Sequence, residues 1–389
     1  MQEETREDRR RVERAAKAKP ELGFIRAPHE ADPRRDGKLL AAISRVAPGT
    51  DLRQGIDDII RSRSGALLVV GDPEKLSFLY SGGLRLDQPL TPQFLYELAK
   101  MDGAIIIDSG LTRIAYANVQ LMPDPTIASA ETGTRHRTAE RVAKQTDALV
   151  LSISQQRETV TLFLGDRRYQ LDSIADLLAR TNQALHTLET YRQRFEQVKT
   201  RLTALEFQNA VMLDDVLVAL QRAEMTMRMA EEIERDCIEL GSEGRVIEMQ
   251  LGELIAGVPK ELTLLIADYH ASADRAEHRS AEAQLRKVPY QALLVFEQLS
   301  ELLGYPDTVD PVDHALTARG YRVLSQIPRV PDAVVREIVA GLAGLDAIVR
   351  ATQRDLEGVS GVGEVRAREI KDGLRRLQEQ NLVDRYLQL

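Results

Sequence analysis

Near residue 174 the hydrophobic repeat of this chain changes period, and that change rules out one architecture for the whole. Before it, short apolar runs broken by Gly, Asp and Pro alternate with amphipathic stretches. After it, Leu185, Leu188, Tyr191, Phe195, Val198, Leu202 and Leu205 recur at intervals of three and four, which is one face of a long helix. At 389 residues the chain also exceeds what one ordinary core supports, so separate units are expected.

The first region reads as α/β. Residues 66–70, ending at Gly71-Asp72-Pro73, form a buried strand, and 76–80, stopped by Gly82-Gly83, a second. Residues 38–46 and 52–61 have helical spacing, with Asp51 as N-cap of the latter. Thr91-Pro92 joins a capping hydroxyl to a proline at the first helical position and opens a helix to about Lys100. Residues 104–107 and 113–119 pair across Ser109-Gly110; 134–146 is helical; 148–152 and 159–164 are strands. Links of hairpin and of crossover length both occur, so a mixed sheet flanked by helices is expected.

The middle is all-helical, broken at Gly241, Gly244, Gly257 and Pro259 and resuming through Ala283 and over 290–303. Beyond it, Asp310 is expected to cap a helix opened by Pro311 and ended by Gly320. Four units follow: a flexible charged arm over 1–36, an α/β unit over 37–173, a helical spine over 174–310 and an all-α unit over 311–389. The net charge of −8 is concentrated in the spine, so a polyanion must meet an end of the chain. No apolar run approaches the roughly 18 residues of a membrane span. The charged N-terminus lacks an apolar signal segment, and a cytoplasmic protein is expected. A single cysteine, Cys237, excludes an internal disulfide and a cysteine metal cluster and reads as a small buried filler.

Two patterns near the C-terminus are related: residues 324–331 and 356–367. In the second, Gly361-Val362-Gly363 forms a tight turn between helices. Both glycines permit positive φ, Val362 tucks inward, and Ala367 and Ile370 give the following helix a buried face. This is the spacing of a helix-hairpin-helix element, whose amides hold a DNA phosphate and so read backbone rather than bases. Glu364 stands where a lysine would help; Arg366, Arg368, Lys371, Arg375 and Arg376 restore positive charge. Weak, salt-sensitive, sequence-independent binding is expected. The first pattern is a degenerate copy with prolines where glycines are expected.

The strongest chemical signal is Gly133-Thr134-Arg135-His136-Arg137-Thr138, three potential cations flanked by hydroxyls at a helix start. Unpaired N–H groups and the positive dipole end favour an anion there, phosphate above all. Upstream, Asp102 precedes Gly103 and Ala104 at the edge of an apolar strand, where a carboxylate serves a divalent cation or closes a turn.

In Asp102-Gly103-Ala104 and Arg135-His136-Arg137 the chain resembles the diadenylate cyclase family, marked by a DGA and an RHR motif. Its helical middle and C-terminal hairpin are similar to those of the DNA integrity scanning branch, and the resemblance runs from about residue 38 to the end. The resemblance implies condensation of two ATP into cyclic di-AMP and pyrophosphate, across two facing sites in a homo-octamer. Asp102 would hold Mg²⁺ or Mn²⁺ near the α-phosphate. Gly103 and Ala104 would let the nucleotide approach, and Thr134, Arg135, His136, Arg137 and Thr138 would take its phosphates. His136 either donates to a phosphate or protonates the leaving group. Leu121 matches an adenine contact and Ser154 a base or ribose contact. Gly361, Val362, Gly363, Arg366 and Arg368 would meet branched DNA, which would suppress synthesis. The rival reading is a scaffold that senses a nucleotide without reacting and binds junction DNA for repair.

Overall fold

The structure, a computed structural model, describes residues 32–387. Of the expected arm, residues 1–31 lie outside them. Residues 32–36 are built into the fold, contrary to expectation: Asp32 caps a 3-10 turn over Pro33–Arg35, and Arg34 is buried.

Helices α1 (Gly37–Ser44) and α2 (Asp51–Arg61) lead into strand β1 (Ala66–Val70). Thr50, not Asp51, caps α2, its hydroxyl accepting from the Arg53 amide at 3.2 Å; Asp51 lies in the first turn, where its charge favours the dipole. The strand expected over 76–80 is mostly a 3-10 turn, leaving only β2 (Tyr80–Ser81). Two strands of the α/β region have no counterpart in the sequence-based expectation: β3 (Leu84–Pro89) and, later, β8 (Arg167–Gln170). Both are edge strands with mostly exposed side chains, so neither carries an apolar run. Between them come α3 (Pro92–Leu98), capped by Thr91 as expected, β4 (Ala104–Ile107), β5 (Arg113–Leu121), α4 (Thr134–Gln145), β6 (Leu149–Ile153) and β7 (Val160–Leu164).

These strands make one sheet in the order β2-β5-β4-β1-β6-β7-β8, with β3 also on β5. Only β1 and β4 run parallel; the other pairs are antiparallel. The pleat sorts the central residues onto two buried faces. Leu68, Val70, Ile105 and Ile107 pack with Ile43, Ile56 and Leu95 of α1, α2 and α3. Leu67, Val69, Ile106 and Phe163 pack with Ala139 and Val142 of α4. Burial on both faces explains why β1, β4 and β6 read as continuous apolar runs.

The remainder is helical. Helix α5 (Ile174–Gln208) ends at Asn209, whose left-handed backbone turns the chain through β9 (Val211–Met212) into α6 (Leu213–Leu240). At 1.5 Å per residue α5 is about 50 Å long. Leu185, Leu188, Tyr191, Phe195 and Leu202 form its buried stripe. Then come α7 (Arg245–Ile255), α8 (Val258–Tyr269), α9 (Arg275–Leu285) and α10 (Phe296–Leu302), with the expected glycine breaks. The helix expected after Pro311 is absent. Asp310 instead caps a turn through the Val312 amide, and β10 (Ala315–Leu316) pairs with β9. Gly320, at φ +111°, precedes α11 (Tyr321–Ser325) rather than ending a helix. The chain closes with α12 (Asp332–Gly341), α13 (Leu345–Arg350), α14 (Gln353–Glu357) and α15 (Glu364–Leu387).

Two buried ionic nodes join these regions. Arg34 donates to Asp236 of α6 at 2.6 Å and to Glu239 at 3.2 Å. Arg322, wholly buried, meets Glu206 at 2.5 Å and Glu261 at 2.6 Å, tying the tail to α5 and α8. Beside it Asp268 accepts from the amides of Gly320, Tyr321 and Arg322.

Candidate active site

Strand register gathers the sequence-selected residues at one end of the sheet. Leu68 lies opposite Ile105 in the parallel pair, so the amino-terminal ends Gly65 and Asp102-Gly103 lie side by side. Ile153 lies opposite Ala66, bringing Ser154 there, and Val119 lies opposite Ala104, bringing Leu121.

Helix α4 starts above this end. Its N-cap is Gly133, which has no side chain to satisfy the first-turn amides. Arg135 extends over Gly65 to the Ile153 carbonyl, where its Nη1 donates at 3.4 Å. A Cβ on residue 65 would stand 2.0 Å from that nitrogen, so any larger residue there would push the Arg135 guanidinium from this position. Nothing in the sequence marks Gly65, because the side chain that crosses it lies seventy residues away. His136 is half-buried, its ring edge-on to Phe163 with centroids 6.5 Å apart. Burial, reinforced by Arg168, Arg135 and Arg157 against the opposing pull of Glu131, holds its pKa below the usual histidine range. That shift favours the neutral imidazole, which donates from one nitrogen only. Arg137 is exposed and turns back on its own loop, with Nε and Nη2 each 3.4 Å from the carbonyls of Glu131 and Thr132. Thr134 is exposed and Thr138 half-buried beside it.

The Asp102 carboxylate is exposed and has no hydrogen-bond or ion-pair partner among the described residues. Among those residues no group of three or more His, Cys, Asp or Glu could hold a metal ion. A lone carboxylate of this kind could hold a divalent cation only if substrate phosphates and water completed its shell. Gly103 has a nearer purpose than admitting a nucleotide. At φ +94° it packs against β5, where a Cβ would meet the Val119 carbonyl oxygen at 2.8 Å. Ala104 is buried in the sheet, so only its backbone can face a ligand. Leu121 is half-buried beside Tyr80, and the Ser154 hydroxyl accepts from the Arg157 amide at 3.3 Å.

Comparison with known proteins matches residues 53–168 to the model described as DisA bacterial checkpoint controller nucleotide-binding, and 171–311 to the DisA bacterial checkpoint controller linker region. The DNA integrity scanning protein DisA of Acetivibrio thermocellus is 46% identical over 91% of this chain and 98% of its own. That of Symbiobacterium thermophilum is 48% identical over 89% and 97%. The chain belongs to the DisA family. The matched nucleotide-binding module is a diadenylate cyclase domain, and the chain is a diadenylate cyclase. Among the described residues no helix is long and apolar enough to cross a membrane.

In the tail of this DisA-family chain the hairpin packs into the core of the helical region. Val362 is buried, as are Ala367 and Ile370. Gly361 has φ +80°, but Gly363 is not among the positive-φ residues, so one glycine of the pair uses that freedom. Arg366 donates to the Gly361 carbonyl at 2.7 Å and braces the turn, while Arg368 pairs with Glu364 at 3.2 Å.

Proposed function

We propose that this DisA-family chain condenses two ATP molecules into cyclic di-AMP, each 3′-hydroxyl attacking the α-phosphorus of the opposing nucleotide with pyrophosphate leaving. The observation that carries the reading is Arg135 lying over Gly65, at the sheet end where Asp102 precedes β4. In this reading a phosphate-binding cation and an unpartnered carboxylate stand at the same end of the sheet.

In this reading Arg135 and Arg137 bind phosphate oxygens, with the α4 amides behind them. Arg137 needs only to release two long hydrogen bonds. Neutral His136 donates to a phosphate, and Thr134 and Thr138 offer hydroxyls beside it. Leu121 and Ser154 border the base and ribose, and Gly103 and Ala104 offer backbone. Asp102 holds a divalent cation, Mg²⁺ or Mn²⁺, which when bound neutralises charge on the phosphoryl oxygens.

One site holds one nucleotide, so a second copy must face it. Met101 and Met122, 43% and 52% exposed beside Asp102 and Leu121, support an apolar rim for that contact. We assign the cyclase unit to residues 37–173, the spine to 174–310 and the DNA-binding unit to 311–389, in a homo-octamer. The amides and cations around Gly361, Val362, Gly363, Arg366 and Arg368 suit the backbone of branched DNA.

The test is synthesis by the purified full chain from ATP with Mg²⁺ or Mn²⁺, with and without a four-way junction. Cyclic di-AMP that falls when the junction is added is the expected result. ATP binding without product under either metal would favour the non-catalytic scaffold.

A further inference from the structure

Strand β8 presents successive residues to two different parts of the molecule. Side chains alternate along a strand, so Arg168 and Tyr169 point oppositely. Arg168 reaches Glu131, its Nε 2.5 Å from Oε1. Tyr169 reaches the spine, its hydroxyl donating to Glu239 of α6 at 2.7 Å. Glu239 is itself buried, and its other contacts are Arg34 and the Asp172 amide.

Glu131 belongs to the loop that delivers the cationic run. One side of that loop is held by α4. Glu140 accepts from Ser129 and Ala130, Arg141 donates to the Ile127 carbonyl, and Lys144 donates to that of Ala128. All of those ties are local. The Arg168–Glu131 pair crosses 37 residues and fixes the loop against the sheet. Register adds a second contact from the same place: Arg168 lies opposite Phe163, the residue behind His136. Two cross-strand neighbours on β7 and β8 thus bear on the loop and on the middle residue of the run.

We infer that Arg168 and Glu131 are positioning residues for nucleotide condensation, and that Tyr169 on Glu239 ties their geometry to the spine. This rests on the reading of the site given above. Arg168 is 49% exposed on its side chain, so solvent screens the pair and its contribution to stability is small. Its effect is on where Arg135 and His136 stand, and small displacements of reacting groups slow turnover steeply.

The experiment is steady-state cyclic di-AMP synthesis by full-length variants, with melting temperature measured alongside. Arg168→Ala and Glu131→Gln should each lower kcat on the order of tenfold, as expected for misplaced groups, while KM and melting temperature change little. Arg168→Lys should restore part of the loss, and the double variant should be no worse than either single one. Tyr169→Phe, which removes only the hydroxyl, should lower kcat in the same direction. A readout without turnover is the titration of the His136 ring, whose midpoint should rise in Arg168→Ala as a neighbouring cation is lost. Wild-type kcat in both Arg168→Ala and Glu131→Gln overturns the positioning role, as does an unmoved His136 midpoint. Wild-type kcat in Tyr169→Phe overturns the tie to the spine. Failure of the underlying site reading is seen separately, as undiminished synthesis by Asp102→Asn.

Discussion

Arg329 and Gly361 hold the same left-handed backbone, φ +65° and +80°, at equivalent points of two successive hairpins. Around them Leu324 matches Leu356 and Val330 matches Val362, all four buried. The first pattern therefore repeats the turn of the second. Pro331 replaces Gly363 without distortion because that position needs no positive φ.

Gly361→Ala should cost about 1–2 kcal/mol, the penalty of an L-residue in left-handed backbone. Space is not the cause, since the new Cβ would come no nearer than 3.7 Å to Val334. Arg329→Gly should relieve the same strain and hold or raise the melting temperature. Denaturant melts of both variants check the pair, and a destabilised Arg329→Gly would contradict it.

Asp102→Asn should abolish synthesis and spare much of the ATP binding, because it removes a charge without changing shape. Titrating ATP against the variant alongside the product assay separates the two effects. An intact product yield would remove Asp102 from the reaction.

Arg322→Ala should destabilise by about 3–5 kcal/mol, as expected when one partner of a buried pair is removed. It strands Glu206 and Glu261 against α5 and α8. The unfolding free energy from urea titration is the measure, and a loss below about 1 kcal/mol, the value of an exposed pair, would refute the node.

His136 should titrate below 6.5, the ordinary histidine value. A folded pKa below the unfolded one means that the unfolded chain binds more protons in the window between them. Stability from this residue is therefore complete above pH 6.5 and is lost as pH falls through that window. Ring-proton chemical shifts against pH follow it directly, and a midpoint above 6.5 reverses the sign.

Burial pushes the Cys237 thiol up to about 11. At pH 8 iodoacetamide should modify it on the order of a hundredfold more slowly in the folded protein than in denaturant, because only thiolate reacts. Equal rates would mean that the thiol is open to solvent.

Much of the architecture follows from local rules. Apolar runs mark β1, β4 and β6, which are buried on both faces, and Gly71 and Asp108 end the first two. Thr91-Pro92 starts α3, and a three-four repeat marks α5. The same rules fail at the edges. β3 and β8 lack apolar runs, and the residues after Pro311 gain more from pairing with β9 than from a helix.

By itself the sequence determined which residues carry charge and where the strongly periodic segments lie, since both depend on neighbours a few positions away. Only the tertiary structure decided that Arg135 lies over Gly65, that Arg168 and Tyr169 serve opposite faces of one strand, and that Arg34 meets Asp236 across 202 residues. Such pairings carry no local period. They exist because a buried charge is stable only beside an opposite one, and the fold alone sets which is near.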